Sequence, residues 1–179
     1  MSVQRKPVPG LYLVGFMASG KTTIGRALAR EIGWPFIDID SEIEARENRA
    51  IAQIFSEHGE RHFRGIETEI IRHRIAQMEA GEPAIVALGG GAFVQPANRA
   101  LIEASGGVSV WLDCPLDLIR KRLGDDSTRP LATDRNGLKT LFAERRSSYA
   151  LASHRIEVDS DDPSTAVERI LALAIFPNA

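Results

Sequence analysis

Residues 15–22 read GFMASGKT and lie between a short apolar run, residues 11–14, and a segment of helical periodicity, residues 21–32. Glycines at both ends of the loop allow the backbone to turn its N–H groups inward around a phosphate. The N-terminus of the following helix adds positive potential at the same place. A strand, a glycine-bearing loop and a helix in this order predict a P-loop, and they disfavour an accidental glycine turn followed by Lys and Thr.

Two side chains of this loop are expected to act directly on a nucleoside triphosphate. Lys21 would reach the β- and γ-phosphates, and the hydroxyl of Thr22 would take a ligand position on Mg²⁺. The residues expected to contact the nucleotide in this region are Gly15, Ala18, Ser19, Gly20, Lys21, Thr22 and Thr23.

The composition is that of an ordinary globular chain. Its 179 residues suffice for one domain with a core, and 44% of them are hydrophobic and 26% charged. The formal net charge is −2, so no global basic field would attract nucleic acid or an anionic membrane. We therefore expect a single domain, residues 1–179, with no nucleic-acid partner.

Several further features bear on compartment and assembly. Cys114 is the single cysteine and no Cys/His spacing of a metal site occurs, which is typical of a reducing compartment, here taken as the cytoplasm. The sequence shows neither an apolar signal region nor a run approaching the ~18 apolar residues of a membrane span, so we expect no membrane association. No exposed apolar stripe is evident, which favours a monomer.

Strand and helix patterns alternate along the chain. This alternation predicts an α/β fold with a central parallel sheet and crossover helices. The predicted strands are residues 11–14, 36–40, 84–88, 108–113 and 155–159. The predicted helices are residues 21–32, 41–80 with a break near Gly59, 116–123, 138–149 and 164–175.

The second predicted strand, residues 36–40, ends in two carboxylates. FIDID alternates apolar and acidic residues, which a half-exposed strand with solvated aspartates would also show. In a parallel sheet, however, Asp38, Asp40 and the P-loop would all lie at carboxyl ends of strands, where open α/β sheets bind ligands.

Two further segments suggest binding of an anion or a substrate. Arg64 lies three residues before Glu67 on a predicted helix, so Glu67 can orient its guanidinium, whereas Arg61 reads as a solvated charge. Gly89, Gly90 and Gly91 follow a core strand; they could form a mere turn, or they could let backbone N–H groups approach a substrate.

Residues 124–137 form the least regular segment, with Arg129 beside Pro130 at its centre. In a phosphoryl-transfer enzyme such a segment predicts a lid that excludes water and brings an arginine onto the phosphates. Residues 120–122, RKR, end the preceding helix, where the helix dipole is reason enough for some of that charge.

These parts favour one kind of phosphoryl transfer. The sequence has no Asn/Thr-Lys-x-Asp motif of a GTPase, and a motor ATPase is usually longer. Carboxylates on the second strand can accept a hydroxyl proton, and Arg64, Arg129 and Arg145 can pair with a carboxylate or a phosphate. Together they predict a kinase for a small hydroxylated acid.

From the P-loop strand to about Asp159 the sequence strongly resembles the shikimate kinase family. That resemblance implies ATP-dependent phosphorylation of the shikimate 3-hydroxyl, on the route to chorismate and the aromatic amino acids. It also implies a P-loop, nucleoside-monophosphate-kinase-like fold with a substrate-binding helical segment, about residues 40–67, and a lid. The motifs that carry it are residues 15–22, residues 36–40, Ile54-Phe55 with Gly59-Glu60 and Phe63-Arg64-x-x-Glu67, residues 89–91, Arg129-Pro130-Leu131, and Leu141-Phe142-x-x-Arg145-x-x-x-Tyr149-x-x-Ala152.

The resemblance implies roles on the acceptor side of the site. Arg64 and Arg145 would grip the shikimate carboxylate, with the backbone of Gly90 and its neighbours beside it. Asp40 would hydrogen-bond the ring hydroxyls and act as general base. A bidentate arginine clamp that positions the acceptor is consistent with how phosphoryl transfer is catalysed.

On the nucleotide side, the resemblance implies that Thr22 is a direct Mg²⁺ ligand and that Asp38 holds the ion through water. Arg129 would be the lid arginine on the ATP phosphates, and Arg122 would lie against adenine. The loop at residues 160–162, Ser-Asp-Asp, departs from the family pattern, because some members carry Arg or Asn there.

Two alternatives remain at this point. A kinase for another polyol acid, such as gluconate, would share the P-loop and fold but not the set Asp40, Arg64 and Arg145. A sensor that binds an effector without catalysis would carry a DNA-binding module or would lack catalytic groups, whereas this chain retains Lys21 and Thr22.

Overall fold

The computed structural model describes residues 9–124, 135–173 and 175–176, and in these ranges a parallel five-stranded sheet is flanked by helices. The strands are β1 Gly10–Val14, β2 Phe36–Asp38, β3 Ala84–Ala87, β4 Val108–Asp113 and β5 His154–Glu157. The helices are α1 Lys21–Ile32, α2 Ile39–Glu47, α3 Ile51–Glu79, α4 Pro96–Ala104, α5 Leu116–Leu123, α6 Arg135–Tyr149 and α7 Ser164–Leu171.

The sheet has the strand order β2-β3-β1-β4-β5, with β1 at its centre. Leu11 of β1 pairs with Ile85 of β3 on one side and Val108 of β4 on the other, and all four strand pairs are parallel. Every residue of β1 and β3 is buried, as expected for apolar strands covered by helices on both faces. The predicted α/β fold with a parallel sheet is confirmed.

Helix α1 has the bounds that the sequence predicts, and the P-loop strand starts one residue earlier than predicted, at Gly10. Helix α1 starts at Lys21, directly after Gly20, and ends at Ile32. The next residue, Gly33, has a left-handed backbone and donates its N–H to the carbonyl of Ala29. Ile24 and Leu28 of α1 are buried against the sheet. Strand β1, the loop and α1 thus form one continuous unit at the centre of the fold.

The predicted second strand, residues 36–40, was too long at its carboxyl end. The structure ends β2 at Asp38, whose carboxylate accepts hydrogen bonds from the backbone N–H groups of Asp40 (3.1 Å) and Ser41 (3.4 Å). These bonds cap α2, which therefore begins at Ile39 rather than at Ser41. Asp38 is a helix cap and Asp40 lies in the first helical turn.

The predicted helix 41–80 is two helices. Asn48, in a left-handed conformation with φ 50°, ends α2, and this break was missed. The predicted break near Gly59 is confirmed as a kink within α3, where Gly59 has φ 78° and ψ 171°. Helix α4 had no counterpart in the predicted elements. The bounds of β4 and α5 are as predicted, and those of β3, β5, α6 and α7 differ by one to four residues.

Among the residues that the structure describes, no helix has both the length and the apolar character needed to cross a bilayer.

Candidate active site

A cleft of about 640 Å³ opens at the carboxyl ends of β1, β2 and β3. The P-loop forms its floor, the start of α2 forms one wall, and residues 160–163 form another. Ala18, Gly20, Lys21, Thr22 and Thr23 line the cleft, whereas Gly15 and Ser19 are buried beneath it. The cleft therefore lies where the order of the parallel strands predicts a ligand site.

The ammonium group of Lys21 is held at the P-loop by backbone oxygens. It donates to the carbonyl of Gly15 at 3.0 Å and to that of Phe16 at 2.8 Å. Burial lowers the pKa of Lys21 to about 8, although the carboxylates of Asp40 and Asp38 oppose this shift. A cation kept in this way, facing the cleft, can neutralise an anionic ligand.

The Ser19 hydroxyl also belongs to this loop. It is fully buried and, within the described part of the chain, has no hydrogen-bond partner. The structure thus buries Ser19, which is not among the residues that line the cleft.

Thr22 and Asp38 form a pair of oxygen donors at the cleft wall. The Thr22 hydroxyl donates to one carboxylate oxygen of Asp38 at 3.0 Å, and the other oxygen caps α2. Within the described ranges no three His, Cys, Asp or Glu side chains gather as a metal site. Mg²⁺ in nucleotide sites uses few protein oxygens together with water and phosphate, so this pair fits such an ion.

Asp40 lies on the same wall and faces Gly89. Burial and the neighbouring Asp38 carboxylate raise the pKa of Asp40, while Lys21 opposes this rise. A Cβ atom on Gly89 would lie 2.5 Å from a carboxylate oxygen of Asp40, so a side chain at position 89 would displace it. The glycine is needed for the position of the Asp40 carboxylate.

Arg64 is oriented by Glu67, as its spacing predicts. One guanidinium nitrogen donates to both carboxylate oxygens of Glu67, at 3.0 and 2.8 Å, and Glu60 accepts from two others at 3.3 and 3.2 Å. Glu67 is fully buried; burial raises its pKa and Arg64 opposes the rise. A Cβ on Gly91 would collide with this guanidinium. Arg61, which was predicted to be a solvated charge, is exposed.

Arg145 faces the middle glycine. A Cβ on Gly90 would lie 3.2 Å from a guanidinium nitrogen of Arg145, whose guanidinium also lies 5.9 Å from the centre of the Phe16 ring. The structure therefore brings the three predicted acceptor-side residues together, since each glycine of the run faces one of them: Asp40 at Gly89, Arg145 at Gly90 and Arg64 at Gly91.

Tyr149 is a site residue to which the sequence analysis assigned no role. Its hydroxyl donates to the carbonyl of Gly90 at 2.5 Å, and burial raises the pKa of Tyr149 to about 12. Its position four residues after Arg145, on the same face of a helix, was the available signal. The hydrogen bond fixes the glycine run against α6.

Arg122 connects the P-loop to the acidic loop at residues 160–162. It donates to the carbonyls of Ala18 (3.0 Å) and Ser160 (2.7 Å) and to the carboxylate of Asp161 (3.0 Å). Lys121 donates to the other oxygen of Asp161 at 2.7 Å, and these hydrogen bonds lower the pKa of Asp161. The positive charges of Lys121 and Arg122, at the end of α5, thus neutralise the carboxylate of Asp161.

Arg129, with residues 125–134 of the predicted lid, lies outside the residues that the structure describes.

Comparison with known proteins finds similarity to shikimate kinases in both sequence and structure. A family model described as "Shikimate kinase" matches residues 17–174. A shikimate kinase of Persephonella marina is 39% identical over 162 residues, which cover 90% of this chain and 96% of that protein. Another, from a Sulfurihydrogenibium species, is 41% identical over 162 residues, covering 90% and 95%. The structure of shikimate kinase from Acinetobacter baumannii in complex with shikimate superposes with a TM-score of 0.80 at 33% identity, covering 94% of this chain and 93% of that one.

Proposed function

The chain belongs to the shikimate kinase family, and on this basis we propose how its own residues divide the reaction. The reaction is the ATP-dependent phosphorylation of shikimate, a step in the biosynthesis of aromatic amino acids. The observation that carries the assignment is the glycine run, over which Asp40, Arg145 and Arg64 converge beside the P-loop.

On the nucleotide side, the P-loop holds the ATP phosphates and Lys21 neutralises their charge. Its ammonium is already placed at the loop by the carbonyls of Gly15 and Phe16, so little reorganisation is needed when the phosphates bind. Arg122 lies against adenine while it keeps the P-loop joined to residues 160–162. Arg129 contributes a further positive charge from the lid.

Mg²⁺ would be held by the Thr22 hydroxyl directly and by Asp38 through water. The mutual hydrogen bond of the two side chains and their oxygen chemistry support this assignment. When bound, Mg²⁺ would supply charge neutralisation on the phosphate oxygens.

On the acceptor side, Arg64 and Arg145 bind the carboxylate of shikimate. Glu67 holds the guanidinium of Arg64 before the substrate arrives, which lowers the entropic cost of binding. The backbone of Gly89, Gly90 and Gly91 lies against the acceptor. Asp40 hydrogen-bonds the ring hydroxyls and takes the proton of the reacting hydroxyl, so that its oxygen can attack the γ-phosphate.

The organisation of the chain completes the proposal. Residues 1–179 form a single kinase domain, with the substrate-binding segment at about residues 40–67 and a lid at about 124–137. The chain acts as a monomer, since Leu151 and Leu171 are the large apolar side chains exposed in the described ranges. Its lone Cys114 is consistent with the cytoplasm.

An assay of acceptor specificity tests the proposal. Purified protein, Mg²⁺ and ATP are supplied with shikimate, with gluconate or with no acceptor, and ADP release is followed by a coupled reaction. We expect turnover with shikimate alone. Turnover with gluconate would contradict the assignment of Arg64 and Arg145 to the shikimate carboxylate. Shikimate binding without any turnover would favour the alternative of a sensor that binds an effector without catalysis.

The close contact at Gly91 gives a sharper prediction for the clamp. Gly91→Ala is expected to raise the KM for shikimate about tenfold, because the new Cβ displaces the Arg64 guanidinium, while the KM for ATP stays within about twofold. Steady-state kinetics with each substrate varied in turn measures both constants.

Gly65→Ala is the matched control. Gly65 lies next to Arg64 on α3, and a Cβ there would meet no atom within 4 Å. Alanine also favours the helix by up to about 1 kcal/mol, so we expect unchanged kinetics and equal or higher stability. Equal effects of the two substitutions on the KM for shikimate would argue against the clamp.

A further inference from the structure

A buried carboxylate outside the cleft holds two arginines at the carboxyl end of β4. Asp113, whose side chain is only 6% exposed, accepts from Arg146 at 2.8 and 3.0 Å, one bond to each carboxylate oxygen. Arg155 donates from Nε to one of these oxygens at 2.8 Å, and its Nη2 lies 2.7 Å from the same oxygen. We call Asp113, Arg146, Arg155 and Trp111 the Asp113 cluster.

Trp111 completes the cluster two residues earlier on β4. The guanidinium of Arg146 lies 5.0 Å from the centre of its indole ring and that of Arg155 lies 5.3 Å from it. Trp111 is itself buried, and its ring lies 6.3 Å from that of Tyr149. The two arginines thus share the carboxylate of Asp113 and the indole of Trp111, and Arg155 also pairs with Glu157 at 3.4 Å.

The two arginines differ in the element that carries them. Arg155 lies on β5, which pairs with β4 along its length. Arg146 lies on α6, directly after Arg145 and three residues before Tyr149. Since successive helical residues are about 100° apart, one helix can present Arg145 to the glycine run and Arg146 to Asp113.

Two further contacts hold this helix against the P-loop side of the fold. Tyr149 bonds to Gly90, and Phe142 packs edge-to-face on Phe16 with ring centres 5.3 Å apart. The bidentate pair of Arg146 and Asp113 joins α6 to a strand whose own backbone is fixed, because the Asp113 carbonyl accepts from Val158 at 3.0 Å. Rotation of α6 would break this pair and move Arg145 at the same time.

We propose that Asp113 is a positioning residue for the acceptor site, which acts through Arg146 to set the rotation of α6 and hence the place of the Arg145 guanidinium. The inference rests on the proposed function, in which Arg145 binds the shikimate carboxylate. The carboxylate of Asp113 does not touch the substrate; it orients the helix that does.

The two arginines of the cluster provide a matched experiment. Arg146→Gln is expected to raise the KM for shikimate about tenfold with the KM for ATP within about twofold, because one charge-assisted contact of α6 is lost. Arg155→Gln removes the other arginine of Asp113, which β5 carries, and is expected to leave both constants within about twofold, whatever its effect on the melting temperature. Equal changes in the KM for shikimate in both variants, or in neither, would overturn the proposal.

A double-mutant cycle separates this inference from the clamp itself. Arg145→Ala alone should raise the KM for shikimate, and if it does not, the proposed function of Arg145 fails. If it does, adding Arg146→Gln to Arg145→Ala should cause no further rise, whereas an independent further rise would overturn action through Arg145. Should Arg146→Gln not fold, Arg146→Lys replaces it in the cycle, because lysine keeps the charge but not the bidentate geometry.

Discussion

Lys21→Ala is expected to abolish phosphoryl transfer, with kcat lowered by at least about a thousandfold, the range in which loss of one preorganised charge at a transferring phosphoryl group falls. The Lys21 ammonium is held at the P-loop by two carbonyl groups, and alanine leaves both carbonyls and the phosphates without that charge. The coupled ADP-release assay at saturating shikimate and ATP measures the loss.

The control for this prediction is another lysine. Lys139 is exposed on α6, and Lys139→Ala is expected to keep kcat within about twofold. Thermal unfolding of both variants, followed by circular dichroism, separates loss of chemistry from loss of fold. Turnover retained by a folded Lys21→Ala protein would remove Lys21 from the mechanism.

Asp40→Asn is expected to lower kcat by about 10²- to 10⁴-fold, the usual contribution of a general base, while the dissociation constant of ATP changes little. Asparagine has the shape of aspartate and fits against Gly89, but it cannot take up the proton of the acceptor hydroxyl. Rapid-quench or steady-state kinetics gives kcat, and calorimetric titration gives the affinity for ATP.

An acidic residue elsewhere on the same helix is the control. Glu42 of α2 pairs with Arg74 of α3 and does not line the cleft, so Glu42→Gln is expected to keep kcat within about twofold. The reverse pattern in Asp40→Asn, with weakened ATP binding and preserved kcat, would move Asp40 from the acceptor to the nucleotide.

The sequence predicts the P-loop unit well because its determinants are local. An apolar run, a glycine loop and the glycine after the last helical residue fix β1, the loop and α1 without help from distant residues. The predicted strand over residues 36–40 was wrong at its carboxyl end, where two local preferences compete. Alternation of apolar and acidic residues favours a strand, whereas the Asp38 side chain offers the backbone a helix cap. The cap prevails from residue 39 onward.

Contacts between residues far apart in the sequence could not be derived from spacing, and the convergence of Arg64 and Arg145 was predicted only through the family resemblance. The spacing of Arg64 and Glu67 on one helix face predicts their pairing, whereas the bond between Tyr149 and Gly90 joins residues 59 positions apart. Arg122 illustrates the same limit. Its place in the last turn of α5 suggests a role for the helix dipole, but only the folded chain brings it to Ala18 and Asp161.

The glycine run has a consequence for attempts to change which acid this protein phosphorylates. Because residues 89–91 face Asp40, Arg145 and Arg64 with no side chain of their own, randomising these three codons would mostly displace the groups that bind the acceptor. A library aimed at new acceptors should therefore keep the glycines and vary α2, α3 and α6, whose side chains reach over them.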